Sequence, residues 1–395
     1  MRQGLPYRII LLTSIVLITG VLFSGCSTEV PESTHESDLR YAPFGDQYVL
    51  KSLRIDASSS LVALSDYSIA LISGKDAKIA WRSQQFFDVD GMVRLGDKGY
   101  LICEQWYDNV RAEGITLLNP AGEVIQTSSD TKLFPEEPNL HEDLVSAVSD
   151  GSGGAYLLYV LTDDTETIAK RFLLHFNTSL SIDQKIQLTD FYVYMTADEA
   201  GNLYLIRTTS PEGSARMTLE ARKVDRAEFQ SGSVDSEWTY NFISEEPDWK
   251  WKVYFPFRFF HSLGDLFIIM QHNTPGSDLS DGVQILQLDA TNGLEENNIL
   301  IDIDFEVNNY LDQQTFEGFA DEDGIYVLHN FGSSCRLDRF TRSGSPLDPI
   351  YLSGKSGRAE GLAIGNLGNR LAIHGVTYLD QSLMWTPFIL LMDKP

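Results

Sequence analysis

The chain has 395 residues, 56 acidic against 30 basic, for a formal charge of −26, and 43% of it is hydrophobic. A field of that sign repels nucleic-acid phosphates and anionic lipid headgroups, which excludes nucleic acid as a partner. The hydrophobic content is too high for a disordered chain.

In chain order, Arg2 and Arg8 precede an apolar run from Ile9 to Phe23, diluted only by Thr13, Ser14, Thr19 and Gly20. A basic start, a short apolar core and small residues after it make a secretory signal, since a stable membrane span needs about 20 apolar residues. The run ends Phe23-Ser24-Gly25-Cys26, which resembles the lipobox of bacterial lipoproteins, with Phe23 where that family usually has Leu. The resemblance implies a signal peptide over residues 1–25, cleavage before Cys26, and a lipid on Cys26 that anchors the mature chain to the membrane. It implies an extracytoplasmic address, at the cell surface in an organism with one membrane. Ser27, not Asp, follows the cysteine, which in that family directs the protein to the outer membrane where there are two. Losing Arg2 and Arg8 takes the charge from −26 to −28. Residues 26–46, rich in Ser, Thr, Glu and Pro, read as the lipidated Cys and a flexible tether, and 47–395 as the folded domain. His35-Glu36 has Leu39 where a zinc-protease helix needs its second His, so that reading fails.

The folded part repeats one unit, clearest from Thr315 to Ser353. It has four short apolar strands: one at Thr315, then Ile325-Tyr326-Val327-Leu328, Cys335 to Phe340, and Pro349 to Leu352, separated by Asp, Gly, Ser and Pro turns. Four strands of that length per unit predict one blade of a β-propeller. Drifted copies are anchored on a Gly or turn followed by an apolar strand: Ser60–Leu64, Gly99–Ile102, Gly154–Leu158, Gly201–Ile206, Gly264–Ile269 and Gly368–Ile373. With the Thr315 unit these predict about seven four-stranded blades, and six or eight also fit the spacing. No stretch has sustained helical periodicity, so the class is all-β. Tyr48-Val49-Leu50 is the predicted outer strand that closes the last blade. Cys103 and Cys335 fall in strands of different repeats and read as buried thiols rather than a disulfide.

The Thr315 repeat, through Asp321, Gly324, Tyr326, Val327, Arg336, Phe340 and Gly344, resembles the NHL-like propeller superfamily, as do Gly201, Asn202 and Tyr204. Ala70-Leu71 through Gly74 to Trp81 resembles a quinoprotein-type repeat, the kind found in BamB-like outer-membrane assembly lipoproteins. Both resemblances concern the fold, and fold does not fix function.

Chemistry is sparse. No nucleophile elbow, phosphate loop or zinc-protease motif occurs, and no cofactor is implied. Aligning the second strands places Cys103, Tyr159, Arg207, Met270, His329 and His374 at equivalent positions, with Glu104, Gln271 and His272 beside them. On that alignment Glu104, Arg207, His272, His329 and His374 form a polar funnel at one end of the central channel, the only place a catalytic site or a metal on His329 and His374 is expected. The competing reading is that every such strand simply ends on a polar residue. Asp88-Val89-Asp90-Gly91 and Asp321-Glu322-Asp323-Gly324 read as turns rather than calcium loops, because no bidentate Glu follows. From Trp238 to Phe260 ten aromatics are interleaved with Lys250, Lys252 and Arg258. Part of this stretch reads as an insertion, with Trp249 and Trp251 exposed as a binding surface. The expectation is a binding or scaffolding module of the cell envelope with a protein or glycan partner. The rivals are an envelope enzyme of glycan lyase or hydrolase type and a BamB-like assembly factor.

Overall fold

The computed structural model describes residues 39–41, 49–53 and 59–393, leaving out within the last range 65–67, 74–77, 85, 87, 106–112, 128–132, 164, 166, 178, 180, 191, 193, 210–217, 244–255, 273–281, 303–314, 332–333, 353–358, 368–369 and 379–384. The described strands form seven four-stranded antiparallel sheets. Blade 1 is β2 (Val49–Leu53), β3 (Ser59–Leu64), β4 (Ser68–Ser73) and β5 (Ile79–Gln84). Blade 2 is β6 (Asp88–Arg94), β7 (Tyr100–Gln105), β8 (Glu113–Leu118) and β9 (Val124–Thr127). Blade 3 is β10 (His141–Ser149), β11 (Ala155–Thr162), β12 (Ile168–Phe176) and β13 (Ile182–Gln187). Blade 4 is β14 (Tyr194–Ala197), β15 (Leu203–Thr209), β16 (Thr218–Val224) and β17 (Trp238–Ile243), with the short helix α1 (Arg226–Gln230) before its last strand. Blade 5 is β18 (Pro256–Ser262), β19 (Asp265–His272), β20 (Gly282–Asp289) and β21 (Glu295–Asp302). Blade 6 is β22 (Thr315–Ala320), β23 (Ile325–Phe331), β24 (Ser334–Phe340) and β25 (Pro346–Leu352). Blade 7 is β26 (Ala359–Leu367), β27 (Arg370–Tyr378), β28 (Trp385–Asp393) and β1 (Leu39–Tyr41).

The first strands of the blades touch in an unbroken cycle: β2 with β6, then β10, β14, β18, β22, β26 and back to β2. That cycle is a closed ring with the first strand of every blade innermost. Apolar clusters fill the spaces between successive blades from blade 1 to blade 7. Because both faces of each blade meet a neighbour, the second strands carry runs of consecutive apolar residues, as in Tyr156-Leu157-Leu158-Tyr159, none more than 1% exposed. Each such side chain contributes about 1.5–3 kcal/mol of burial. The outermost strands lose this cover; all four residues of β9 are exposed.

The seven predicted anchors are the second strands β3, β7, β11, β15, β19, β23 and β27. The ring closes differently from the expectation. Val49 to Leu53 is the inner strand of blade 1, and β1 is the outer strand of blade 7, pairing Leu39 with Leu390 and Tyr41 with Phe388. The ring therefore takes in residues on the N-terminal side of position 47. Asp88 to Gly91 is also strand and not turn: it opens β6, with an irregularity between Val89 and Gly91. Gly91 stands there because a Cβ would run into the Leu144 side chain of blade 3. Asp321 is a turn residue as expected, its carboxylate accepting from the backbone N–H of Asp323 at 2.9 Å and Gly324 at 3.2 Å.

Candidate binding face

Strand direction gives the ring two different ends. Connections from first to second and from third to fourth strands leave at one end, the turn end. Connections from second to third strands and from blade to blade leave at the other.

The turn end is built for stability. In blades 3, 4 and 6 an Asp opens the first turn and caps it: Asp150 takes the N–H of Ser152 and Gly154, and Asp198 that of Asn202. Adjacent blades are then fastened by two repeated devices. In the first, an outer-strand Trp donates its Nε1–H to a turn carbonyl of the next blade, Trp81 to Pro120 at 2.9 Å and Trp238 to Ala290 at 3.1 Å. Each indole covers a positive-φ glycine of that turn, Gly122 (φ 83°) and Gly293 (φ 72°). In the second, a turn Arg reaches back to the preceding blade, Arg226 to Asp150 at 3.4 Å and Arg342 to Asp265. His175 on β12 bonds Asp183 through Nδ1 at 2.6 Å and Asp150 through Nε2 at 3.1 Å. Burial alone would push its pKa down, but the two carboxylates raise it. Asp150, though buried, is held well below the usual carboxylate range by hydrogen bonds from His175, Ser152 and Gly154.

The other end is longer and less regular. Thirteen residues separate β9 from β10, twelve separate β17 from β18 and β21 from β22, and nine separate β19 from β20. At the turn end five is the usual length, as from β10 to β11 and β14 to β15, and the thirteen residues from β16 to β17, which include α1, are the exception. Loops that vary on a rigid scaffold are where binding residues concentrate. The side chains below them are charged and mutually engaged. Arg207 on β15 bonds Glu220 on β16 at 2.7 Å and pairs with Asp190. Arg222 shares Glu220 and lies over the Tyr192 ring at 5.3 Å. Burial opposes ionisation of Glu220, but the two guanidiniums keep its pKa low. On the inner strands Arg258 meets Glu317 at 3.1 Å, joining blades 5 and 6. Thr116 donates to Glu104 at 3.0 Å in blade 2. Lys185 sits over the Phe134 ring at 4.1 Å. Phe134 and Tyr192 are buried, so these contacts hold the strands together beneath the connections.

The predicted funnel residues lie on second strands, one strand removed from the channel. Side chains alternate between the two faces of a blade, so a neighbour's cluster identifies where each one points. Glu104 shares the face of Tyr100 and Ile102, against blade 1. Arg207 shares the face of Leu203 and Leu205, against blade 3. His329 follows Ile325 and Val327 against blade 5, whereas His374 lies opposite Leu371 and Ile373 and faces away from blade 6. Glu104, His329 and His374 are buried there, not open to a channel. Burial and the Arg336 charge push the His329 pKa down to about 3, and burial pushes that of His374 down to about 4, so both rings are neutral near pH 7. His272 pairs with Gly282 at the end of β19, and its side chain lies outside the described residues.

The positional equivalence also slips. Tyr159, Arg207, Met270 and His329 face the preceding blade, but Cys103 lies with Leu101 against blade 3, the following one. Glu104 is the blade 2 counterpart of His329, and His374 is out of register by one residue. A one-residue slip in a strand exchanges its faces. His329 and His374 thus enter different spaces, and among the described residues no three His, Cys, Asp or Glu side chains are grouped to hold a metal ion. Cys103 and Cys335 are both buried and unbridged.

Of the aromatic stretch, Trp238, Tyr240 and Phe242 belong to β17 and Phe259 and Phe260 to β18, all packed in blade-to-blade clusters. Trp249 and Trp251, like Cys26, lie outside the described residues. Sequence reasoning missed the two Trp–Gly fasteners, although Trp81 and the turn Asn119 to Gly122 were both visible separately.

Solved structures share this geometry. The Cps50 (Swd1) β-propeller domain of Myceliophteria thermophila superposes with a TM-score of 0.52 at 9% identity, covering 89% of this chain and 97% of that one. U3-55K gives 0.52 at 11% identity, covering 90% and 99%. The chain is a β-propeller. At such identities the likeness shows the fold of the propeller alone. BamB from Moraxella catarrhalis scores 0.42 at 10% identity over 88% of this propeller, too low to argue from. No family model matches the chain, and no curated protein does.

Proposed function

We propose that this propeller is a lipid-anchored envelope scaffold that binds a protein partner on the end carrying the long connections. The observation that carries the reading is the contrast between the two ends. One is spent on turns that are short except for the β16–β17 connection and that fasten blade to blade. The other carries connections of up to thirteen residues between blades, and the twelve-residue one from β17 to β18 holds Trp249 and Trp251. Tryptophan is the residue most enriched where interface energy concentrates. The charged pairs beneath, Arg207–Glu220 and Arg258–Glu317, orient a partner more than they add affinity. Anchoring rests on the lipobox ending in Cys26. The enzyme reading has less support, because Glu104, His329 and His374 are buried in separate spaces between blades.

The test is capture from envelope extract with immobilised soluble domain, comparing wild type with Trp249→Ala/Trp251→Ala. A protein retained by wild type and lost by the variant supports the reading. Equal retention by both removes the long-connection end from it. Mass spectrometry of the envelope form tests the anchor: an unmodified Cys26 ends that part of the proposal.

A further inference from the structure

The direction of β1 fixes where the anchor leaves the ring. β28 runs toward the turn end and β1 is antiparallel to it, with Leu39 opposite Leu390 and Tyr41 opposite Phe388. The N-terminal end of β1 therefore stands at the turn end. Only twelve residues, Ser27 to Asp38, separate it from Cys26, and a chain of that length reaches at most about 40 Å. The chain from Cys26 therefore joins the ring at its turn end.

The same end carries most of the exposed large hydrophobics. Among the described residues these are Val124, Ile125, Ile182, Leu263, Leu294 and Leu300. The first five lie in turn-end hairpins or at the turn-end start of an outer strand, and only Leu300 lies away from it. Leu263 and Leu294 are the most exposed, at 62% and 66%. They sit in the two turns of blade 5, which are tied by the Ala290 N–H to the Gly264 carbonyl at 2.9 Å. Leu263 is also the one non-glycine described residue with positive φ, 52°. Its two-residue turn with Gly264 calls for Asn or Asp at that position. Water favours neither the conformation nor the exposure of this leucine. The acids around the pair are already engaged: Asp265 with Arg342, Asp289 with the N–H of Thr291 and with Asn292, Glu295 with Tyr240.

We propose that the turn end of the ring lies on the bilayer, with Leu263 and Leu294 seated at the headgroup–acyl boundary of a zwitterionic lipid surface. The proposal rests on the lipid-anchor reading above. Asp97, Glu199, Glu322 and Asp323 on the same end are exposed, and with the net charge they make a zwitterionic surface the matching one and an anionic surface unfavourable. Seated this way, the propeller turns the β9–β10, β17–β18 and β21–β22 connections away from the membrane.

The experiment uses full-length lipidated protein in phosphatidylcholine vesicles containing a lipid with a nitroxide at headgroup depth. An environment-sensitive fluorophore is placed at Leu294→Cys or, as a control in the opposite end, at Thr165→Cys; Cys103 and Cys335 are buried and do not compete. The expected result is several-fold stronger quenching at 294 than at 165. Equal or reversed quenching on protein whose Cys26 carries lipid overturns the proposal and leaves the anchor intact. Absence of lipid on Cys26 overturns both. As a second measurement, Leu263→Asn/Leu294→Asn should speed transfer of the lipidated protein between vesicles several-fold, and an unchanged rate also overturns the contact.

Discussion

Replacing Gly293 by Ala tests the Trp fastener between blades 4 and 5. Gly293 has φ 72°, a conformation that costs an L residue about 1–2 kcal/mol. An added Cβ would also lie 2.5 Å from Cε3 of Trp238. The indole cannot simply retreat, because its Nε1–H is held by the Ala290 carbonyl at 3.1 Å. Overpacking of that kind costs about 1–3 kcal/mol, so the substitution should cost about 2–5 kcal/mol in all. Removing the indole first isolates the two parts. In a Trp238→Ala background only the backbone cost should remain, so Gly293→Ala should then cost about 1–2 kcal/mol, a coupling of about 1–3 kcal/mol. The assay is urea unfolding of the four proteins of this cycle, read from midpoints with a check that the slope is unchanged. Equal cost of Gly293→Ala in both backgrounds would refute the fastener, leaving Gly293 as a turn residue and nothing more.

Leu263→Asn should raise stability of the soluble domain by about 0.5–1 kcal/mol by relieving a positive φ, visible as a higher thermal midpoint; a lower midpoint would mean that Leu263 packs in the free protein. His175 has a raised pKa in the folded protein, so its contribution is complete below the unfolded value near 6.5 and is lost as pH rises through the folded one. The stability difference between wild type and His175→Gln should therefore shrink from neutral toward alkaline pH, and growth of that gap would contradict a charged imidazole between Asp150 and Asp183. Cys103 and Cys335 should be unreactive to a thiol reagent in the folded soluble domain and both titrate in denaturant; a value of zero in denaturant would mean a disulfide.

The second strands were the most legible part of the sequence. Each follows a Gly or a turn and opens on a run of consecutive apolar residues, because blades cover it on both sides, as with Gly154 before Ala155 to Leu161. That same double cover hides the faces. A strand buried on one side only would show alternation and fix its register; Leu101-Ile102-Cys103 and Ile373-His374 show none, so positions one residue apart were aligned as equals. The closing strand was misplaced for the opposite reason. Leu39-Arg40-Tyr41 is an outer strand of three residues, too short to stand out from the Ser/Thr/Glu-rich stretch before it. The fasteners needed two distant signals read together, Trp81 with Gly122 and Trp238 with Gly293, and neither residue alone indicates a partner in the next blade.

The way the ring shuts bears on where the polypeptide may be cut. Because Leu39 pairs with Leu390, residues from the two extremes of the ring lie side by side on one sheet, joined only by hydrogen bonds. The chain is topologically close to a circle. A permuted version, joined from 393 to 39 by a short linker and opened in the connection between β17 and β18, would keep all seven blades while exchanging that hydrogen-bonded seam for a covalent one. It would also move the lipid attachment point away from blade 7, separating the contribution of the ring from that of its position on the membrane.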